Sequence, residues 1–327
     1  SLSATFRVGA GATSIGTSLS LALIGVGHLV GLTVGIAMLI GMFVSFFILI
    51  PYFSVGQLDG SPLSDVVDTV FSSQVRYIGA GVMAVAAIWT LVKIISPIIK
   101  GIRDAMRSSR TRHAGGELDQ TERDIPITIV ALVIVLSMIP VGGLLWIFTH
   151  GTEIAHNTAM LIAVSVIFTL LAGLLVAAVC GYMAGLIGSS NSPVSGVGIL
   201  VVVLTALAIV AVHGHGSSGA ETTALIAYTL FTAAIVFCIA TISNDNLQDL
   251  KTGQLVGATP WKQQVALVIG VVFGALIIPP VLNLMQNAFG FQGAPGAGQD
   301  ALAAPQASLI SSLAQGVVGG TQDWSLL

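Results

Sequence analysis

Asp245 and Asp249 stand four residues apart in the most polar stretch of an otherwise apolar sequence, Asn244-Asp245-Asn246-Leu247-Gln248-Asp249-Leu250-Lys251-Thr252-Gly253. The stretch follows directly on a charge-free run, Thr222 to Ser243. If that run is a helix that continues past Ser243, the two carboxylates share a face with Gln248 and Thr252. Like charges at this spacing repel, so a cation, a proton on one of them, or Lys251 or Lys262 must stabilise the pair. A carboxylate that is neutral in one state and charged in another could take up and release a proton. Asn244 and Gln248 would hold its orientation by hydrogen bonds. The plainer reading is a solvated helix end, with Thr252-Gly253 at the C-terminus and Gly253 in the left-handed conformation.

A second polar stretch carries no charge at all: Gly185-Leu186-Ile187-Gly188-Ser189-Ser190-Asn191-Ser192-Pro193-Val194-Ser195-Gly196. Pro193 disfavours a helical conformation at Ser192. Non-helical backbone at membrane depth is tolerated where it lines a cavity or is buried in protein. The hydroxyls, the amide and the free carbonyls could hold a polar substrate. His28, in the middle of an apolar run, is a third candidate, because an ionisable group inside a membrane segment is by default a functional-site hypothesis. The substrate-contacting set is therefore Ser189, Ser190, Asn191, Asn244, Gln248 and His28, with Asp245 and Asp249 for the proton. His150 and His156 flank Glu153, and His213 and His215 lie near Glu221. Neither group has a tight metal-binding spacing, so solvated loops are expected and no metal site is assigned.

The elements that must position these residues are membrane helices. Hydrophobic residues make up 55% of the 327, against 11 basic and 14 acidic ones. No Asp, Glu, Lys or Arg occurs from Val8 to Leu58 or from Ile154 to Ala220. Runs of about 18 or more apolar residues cross a bilayer as helices, and their continuity argues against a barrel. The fold expected is an all-α polytopic membrane protein of about eight transmembrane helices, with one or two broken or re-entrant segments. The spans fall near Ile15–Gly31, Val34–Phe53, Val75–Ile99, Ile125–Phe148, Thr158–Tyr182, Gly196–Val212, Thr222–Ile242 and Gln264–Leu284. The first is the one expected to be broken. Gly27, Gly31, Gly35, Gly181, Gly185, Gly270 and Gly274 are spaced for close helix packing. Trp146, Tyr52, Tyr228 and Trp261 are read as interface anchors. The net charge of −3 gives no case for a nucleic-acid partner.

Basic residues set the orientation. Lys100, Arg103, Arg107, Arg110, Arg112 and Arg123 crowd one connection, which should be cytoplasmic. Counting forward puts His150–Asn157 and His213–Glu221 outside and Asn244–Lys262 inside. Lys251 and Lys262 are the only Lys or Arg residues after Arg123, so the two basic connections agree in parity.

The block at Asn244–Gly253, continued by Gln254-Leu255-Val256-Gly257-Ala258-Thr259-Pro260-Trp261-Lys262-Gln263-Gln264, resembles the oligopeptide transporter family in its bacterial branch, which is related to the yellow stripe-like metal-chelate transporters. The stretch at Gly188–Pro193 matches a family motif of the form Gly-Ser-Ser-Asn-x-Pro, with Ser192 where Asn is common. The resemblance implies a secondary active transporter in a bacterial plasma (inner) membrane. Its cargo would be small oligopeptides or metal chelates, and its partners protons and the lipid bilayer; the oligomeric state stays open, a homodimer among the options. Members of that family are longer, with helices on both sides, so residues 1–327 are read as part of a single transmembrane transporter domain that lacks helices at both ends.

No cofactor is implied, and nothing resembles a phosphate-binding loop. Asn244-Asp245 with Asp249 is superficially like the Asp-rich magnesium–pyrophosphate sites of intramembrane prenyltransferases. Such enzymes need a second Asp-rich motif. Asp65-Val66-Val67-Asp68 is the one candidate, and the span count puts it on the opposite side of the membrane. The protein is therefore expected not to be an enzyme, while a channel stays open as the alternative.

Overall fold

The computed structural model describes residues 2–17, 19–58, 60–113, 119–189, 192–292, 294, 297–298, 301–322 and 324–326, without the side chains of 102, 105, 107–113 and 326. The chain divides into two units, residues 1–83 with 323–327, and residues 84–322.

The first unit opens with a β-hairpin that the span count did not foresee. Strands β1 (Leu2–Val8) and β2 (Gly11–Thr17) pair antiparallel, from Leu2 opposite Thr17 to Val8 opposite Gly11. The hairpin takes Ile15, Gly16 and Thr17, the start of the expected span Ile15–Gly31, into strand β2. What remains of it is α1 (Leu21–Val30), 10 residues long, or about 15 Å at 1.5 Å per residue. That is half of a hydrocarbon core of about 30 Å. Ser20 caps its start, accepting from the Leu23 N–H, and Gly31 at φ 87° ends it.

Helix α2 (Leu32–Phe43) runs through a π-helical segment, Val44–Leu49, into α3 (Ile50–Ser54). The wider turn has a cause. Ile50 donates its N–H five residues back, to the Ser45 carbonyl, and the next carbonyl in that series, Phe46, would need an N–H from Pro51, which has none. Thr13 supplies the missing donor through its hydroxyl. Ala12 donates to Ser54 Oγ at 2.8 Å, which docks the hairpin on α3. Helix α4 (Leu63–Val70) completes this core with Val66, Val67 and Val70.

Helix α5 (Arg76–His113) carries the chain into the second unit, continuing through Pro97 and past Gly101. The cluster of Lys100, Arg103, Arg107, Arg110 and Arg112 therefore lies on a helical extension rather than in a loop. Helices α6 (Ile127–Thr149), α7 (Thr158–Ile187), α8 (Val194–His213), α9 (Gly219–Leu255) and α10 (Pro260–Ala288) follow, then the shorter α11 (Pro305–Val318). Among the described residues seven helices are long and apolar enough to cross a membrane, beginning with Leu32–Ser54, against the eight expected; the difference is the hairpin and α1. The chain is a multi-pass, all-α integral membrane protein.

Helices α7, α8, α9 and α11 form the packed centre of the second unit. Two of its close approaches use glycines that the spacing argument passed over. A Cβ on Gly173 would lie 2.9 Å from Ile239 Cδ1, and one on Gly198 only 1.9 Å from Phe237 Cζ. Gly181 was expected and fits, with Ser243 Oγ 2.7 Å from its would-be Cβ. Gly27, Gly31, Gly35, Gly185 and Gly270 meet nothing within 4 Å among the described residues. Tyr228 is a further correction. It is fully buried and packs edge-on against Phe148 at 6.0 Å, so it belongs to the core and is no interface anchor.

Candidate functional site

Helix α9 does continue past Ser243. It is 37 residues long, about 55 Å at 1.5 Å per residue, and the whole polar stretch up to Leu255 is helical. Asp245 and Asp249 therefore share one face. Both are exposed, and among the described residues neither makes an ion pair. The expected support from lysine is not seen. Lys251 Nζ donates instead to Gln254 Oε1 at 3.1 Å, and Lys262 stands 5.8 Å above the Trp261 ring. Exposed carboxylates are solvated well enough to tolerate each other without a counter-ion.

The helix ends later than Gly253. Gly257, at φ 75°, is the left-handed residue. Ala258 N–H bonds to the Gly253 carbonyl at 2.8 Å and Gly257 N–H to that of Gln254 at 3.4 Å, which is the Schellman arrangement. Gly253 has another task. A Cβ there would lie 2.0 Å from Gln263 Nε2. Gln263, from the first turn of α10, crosses over Gly253 and donates to the Asp249 carbonyl at 3.0 Å.

The second polar stretch breaks the chain between α7 and α8, where Gly188 turns at φ 84°. The break docks on α9. Ser189 N–H donates to Gln248 Oε1 at 2.9 Å, and Asn244 Nδ2 donates to the Ser189 carbonyl at 3.4 Å. Ser192 Oγ donates to the Cys180 carbonyl at 3.3 Å. Ser243 Oγ donates to the Ala177 carbonyl at 2.6 Å, a bond made possible by the glycine at 181. Asn244 is buried, and its Oδ1 finds no partner among the described residues. Ser189, Asn244 and Gln248 are thus one cluster. Ser190 and Asn191 lie outside the described residues. His28 is exposed on α1, in the first unit.

Two spaces flank this end of α9. One, of about 370 Å³, is walled by α6, α7 and α9 and includes Ser137, Thr169, Ser243 and Asn246. The other, a cleft of about 830 Å³, opens between α9 and α10 and is lined by Asp249, Thr252, Gln263, Gly270 and Gly274. Gly270 and Gly274 thereby line the cleft, and among the described residues neither meets a neighbouring helix within 4 Å of its would-be Cβ. Asn246 and Gln263 were not singled out from the sequence. Their signal was the run of amides across the α9–α10 connection.

The ends of the second unit sort as the span count requires. Trp261 N–H donates to the Arg123 carbonyl at 3.2 Å, so the two basic connections lie together. Asn157 and His213 meet at the other end, with Asn157 Nδ2 3.5 Å from His213 Nδ1.

Comparison with known proteins bears on what this arrangement does. A family model described as "OPT oligopeptide transporter protein" matches residues 1–327. A Haemophilus influenzae protein named "Putative oligopeptide transporter" is 42% identical over 339 residues, covering 99% of this chain and 53% of that protein. The chain thus spans about half the length of that curated relative. No solved structure matches it.

Proposed function

The chain belongs to the OPT oligopeptide transporter family, and from that premise we propose that it acts as a secondary transporter of small oligopeptides driven by protons. The observation that carries this reading is the docking of the α7–α8 break onto the polar end of α9, through Ser189, Gln248 and Asn244. Asn244 Oδ1 is a buried acceptor with no donor among the described residues, and leaving such an atom unpaired costs about 1–3 kcal/mol. A peptide N–H is the donor that would relieve it. Ser190 and Asn191, next along the same break, would add contacts to the cargo backbone. Backbone-directed contacts of this kind suit cargo that varies in its side chains.

Asp245 and Asp249 carry the proton in this reading, one of them protonated while cargo is bound. Asp249 lines the cleft between α9 and α10, so its charge faces a space through which solvent and cargo could pass. The basic connections near Arg123 and Lys262 would face the cytoplasm of a bacterial inner membrane. Family membership speaks against the prenyltransferase reading of the aspartates.

Reconstituted protein given a labelled tripeptide and an imposed pH gradient tests this proposal. Accumulation above the external concentration is expected. Equilibration without accumulation would make the protein a channel, and accumulation of a ferric chelate but no peptide would change the cargo class.

A further inference from the structure

We propose that His156, His213 and Glu221 form a binding site for a divalent cation of the zinc type, at the end of the second unit away from the aspartates. The sequence places two histidine–carboxylate groups in separate connections, and the fold takes one side chain from the first and two from the second. His156 comes from the short 3-10 turn Glu153–Asn157, His213 from the last turn of α8, and Glu221 from the first turn of α9. One ligand atom from each lies within 4.8 Å of the others. An ion held at about 2.0–2.2 Å by nitrogen and oxygen sets its ligands roughly 3.3–3.5 Å apart. His213 Nε2 and Glu221 Oε1, at 3.1 Å, are already close to that spacing. Only His156, which is exposed and carried on a single turn, has to move in.

The atoms behind the ligands point the same way. His156 Nδ1 lies 3.1 Å from the Glu153 carbonyl, which can only accept, so Nδ1 carries the proton and Nε2 keeps a free lone pair. A histidine whose other nitrogen donates to a backbone carbonyl is the usual outer arrangement of a metal ligand. Glu221 is fixed in the same manner. Its Oε2 accepts from the Ser217 N–H at 2.7 Å and from the Ser217 hydroxyl, which leaves Oε1 to face His213. Without an ion, His213 Nε2–H donates to Glu221 Oε1. With one, that proton moves to Nδ1, and Asn157 turns its amide oxygen to accept it, an orientation its side chain allows equally well. The fourth position stays open to water beside exposed His156. A bound ion would tie the start of α7, the end of α8 and the start of α9 together.

The test uses the purified full chain in detergent, with Zn²⁺ as ligand and Co²⁺ as a spectroscopic probe of four-coordinate nitrogen and oxygen ligation. His156→Ala is the deciding variant, because it removes a ligand and leaves the His213–Glu221 contact that folding uses. The wild type should take up one equivalent of Zn²⁺, raise its Tm with it, and show visible Co²⁺ absorption. His156→Ala should lose at least tenfold in affinity, together with the Tm shift. Equal binding by the two proteins, or no saturable binding by either, would overturn the site.

Discussion

Gln248 Oε1 accepts the Ser189 N–H at 2.9 Å, joining two polar stretches that stand 59 residues apart in the chain. Gln248 is exposed, so the bond itself contributes modestly, about 0.5–1.5 kcal/mol. Its value is positional, since it fixes where the non-helical backbone between α7 and α8 sits against α9. Gln248→Leu should therefore lower peptide uptake several-fold while the thermal midpoint falls only slightly. Gln248→Glu keeps the acceptor and should restore most of the uptake. Equal uptake by all three proteins would show that the contact positions nothing.

Asn244→Leu removes the buried acceptor and the donor to Ser189 in one change, keeping the branch at Cγ but adding apolar bulk. Peptide KM should rise by roughly tenfold, the equivalent of about 1.4 kcal/mol, with expression little changed. Concentration-dependent uptake in vesicles measures it, and an unchanged KM would remove Asn244 from the cargo site.

Asp245→Asn and Asp249→Asn separate the proton from the cargo. One of them should still equilibrate peptide across the membrane, yet fail to accumulate it under a pH gradient. If both variants accumulate peptide with the wild-type pH profile, the pair is a solvated helix face and the coupling residue lies elsewhere.

Gly253→Ala places a methyl group on the Gln263 amide and should break its bond to the Asp249 carbonyl. Overpacking of this kind costs about 1–3 kcal/mol, read as a lower thermal midpoint. Gly257→Ala strains a left-handed residue and should cost about 1 kcal/mol. Gly185→Ala meets open space within α7 and should raise the midpoint slightly, since glycine inside a helix is less favourable than alanine by about 0.5–1 kcal/mol.

Orientation can be read with single cysteines in a Cys238→Ser background, since Cys238 is exposed and Cys180 buried. An impermeant thiol reagent on intact cells should label Ala220→Cys and spare Val256→Cys. The reverse pattern would invert the topology.

Much of this architecture was legible because membrane helices announce themselves by length and continuity. The uncharged run Thr222–Ser243 gave α9 its core, and the basic residues at Arg123 and Lys262 gave the parity that the Trp261–Arg123 contact bears out. The helix end was misread at Gly253, because a buried glycine against Gln263 and a left-handed one look alike in sequence. Only the position of the next helix distinguishes them. The hairpin was missed because Leu2–Thr17 is too short to contradict the apolar run after it. Thr13 is read as a polar interruption only once Pro51 has left the Phe46 carbonyl without its donor. Ser189, Asn244 and Gln248 were each flagged on local grounds, but their meeting depends on how far α7 and α9 slide along each other. Gly181 sets that register by admitting Ser243, which a list of glycine spacings cannot rank above Gly185. The convergence of His156 with Glu221 was hidden for the same reason, being split between two connections.

Helix α9 is fastened to the α7–α8 hairpin at both ends, by Gln248 on Ser189 at one and by Glu221 on His213 at the other. A rod pinned twice to the same partner cannot slide by one residue, about 1.5 Å, without releasing both pins. Relative motion inside this unit is thereby steered to its margins, and above all to the seam along α10, a helix with no buried residue bordering the cleft of about 830 Å³. Asp249 sits on that seam, where Gln263 of α10 reaches its carbonyl and would serve as the pivot of any such motion.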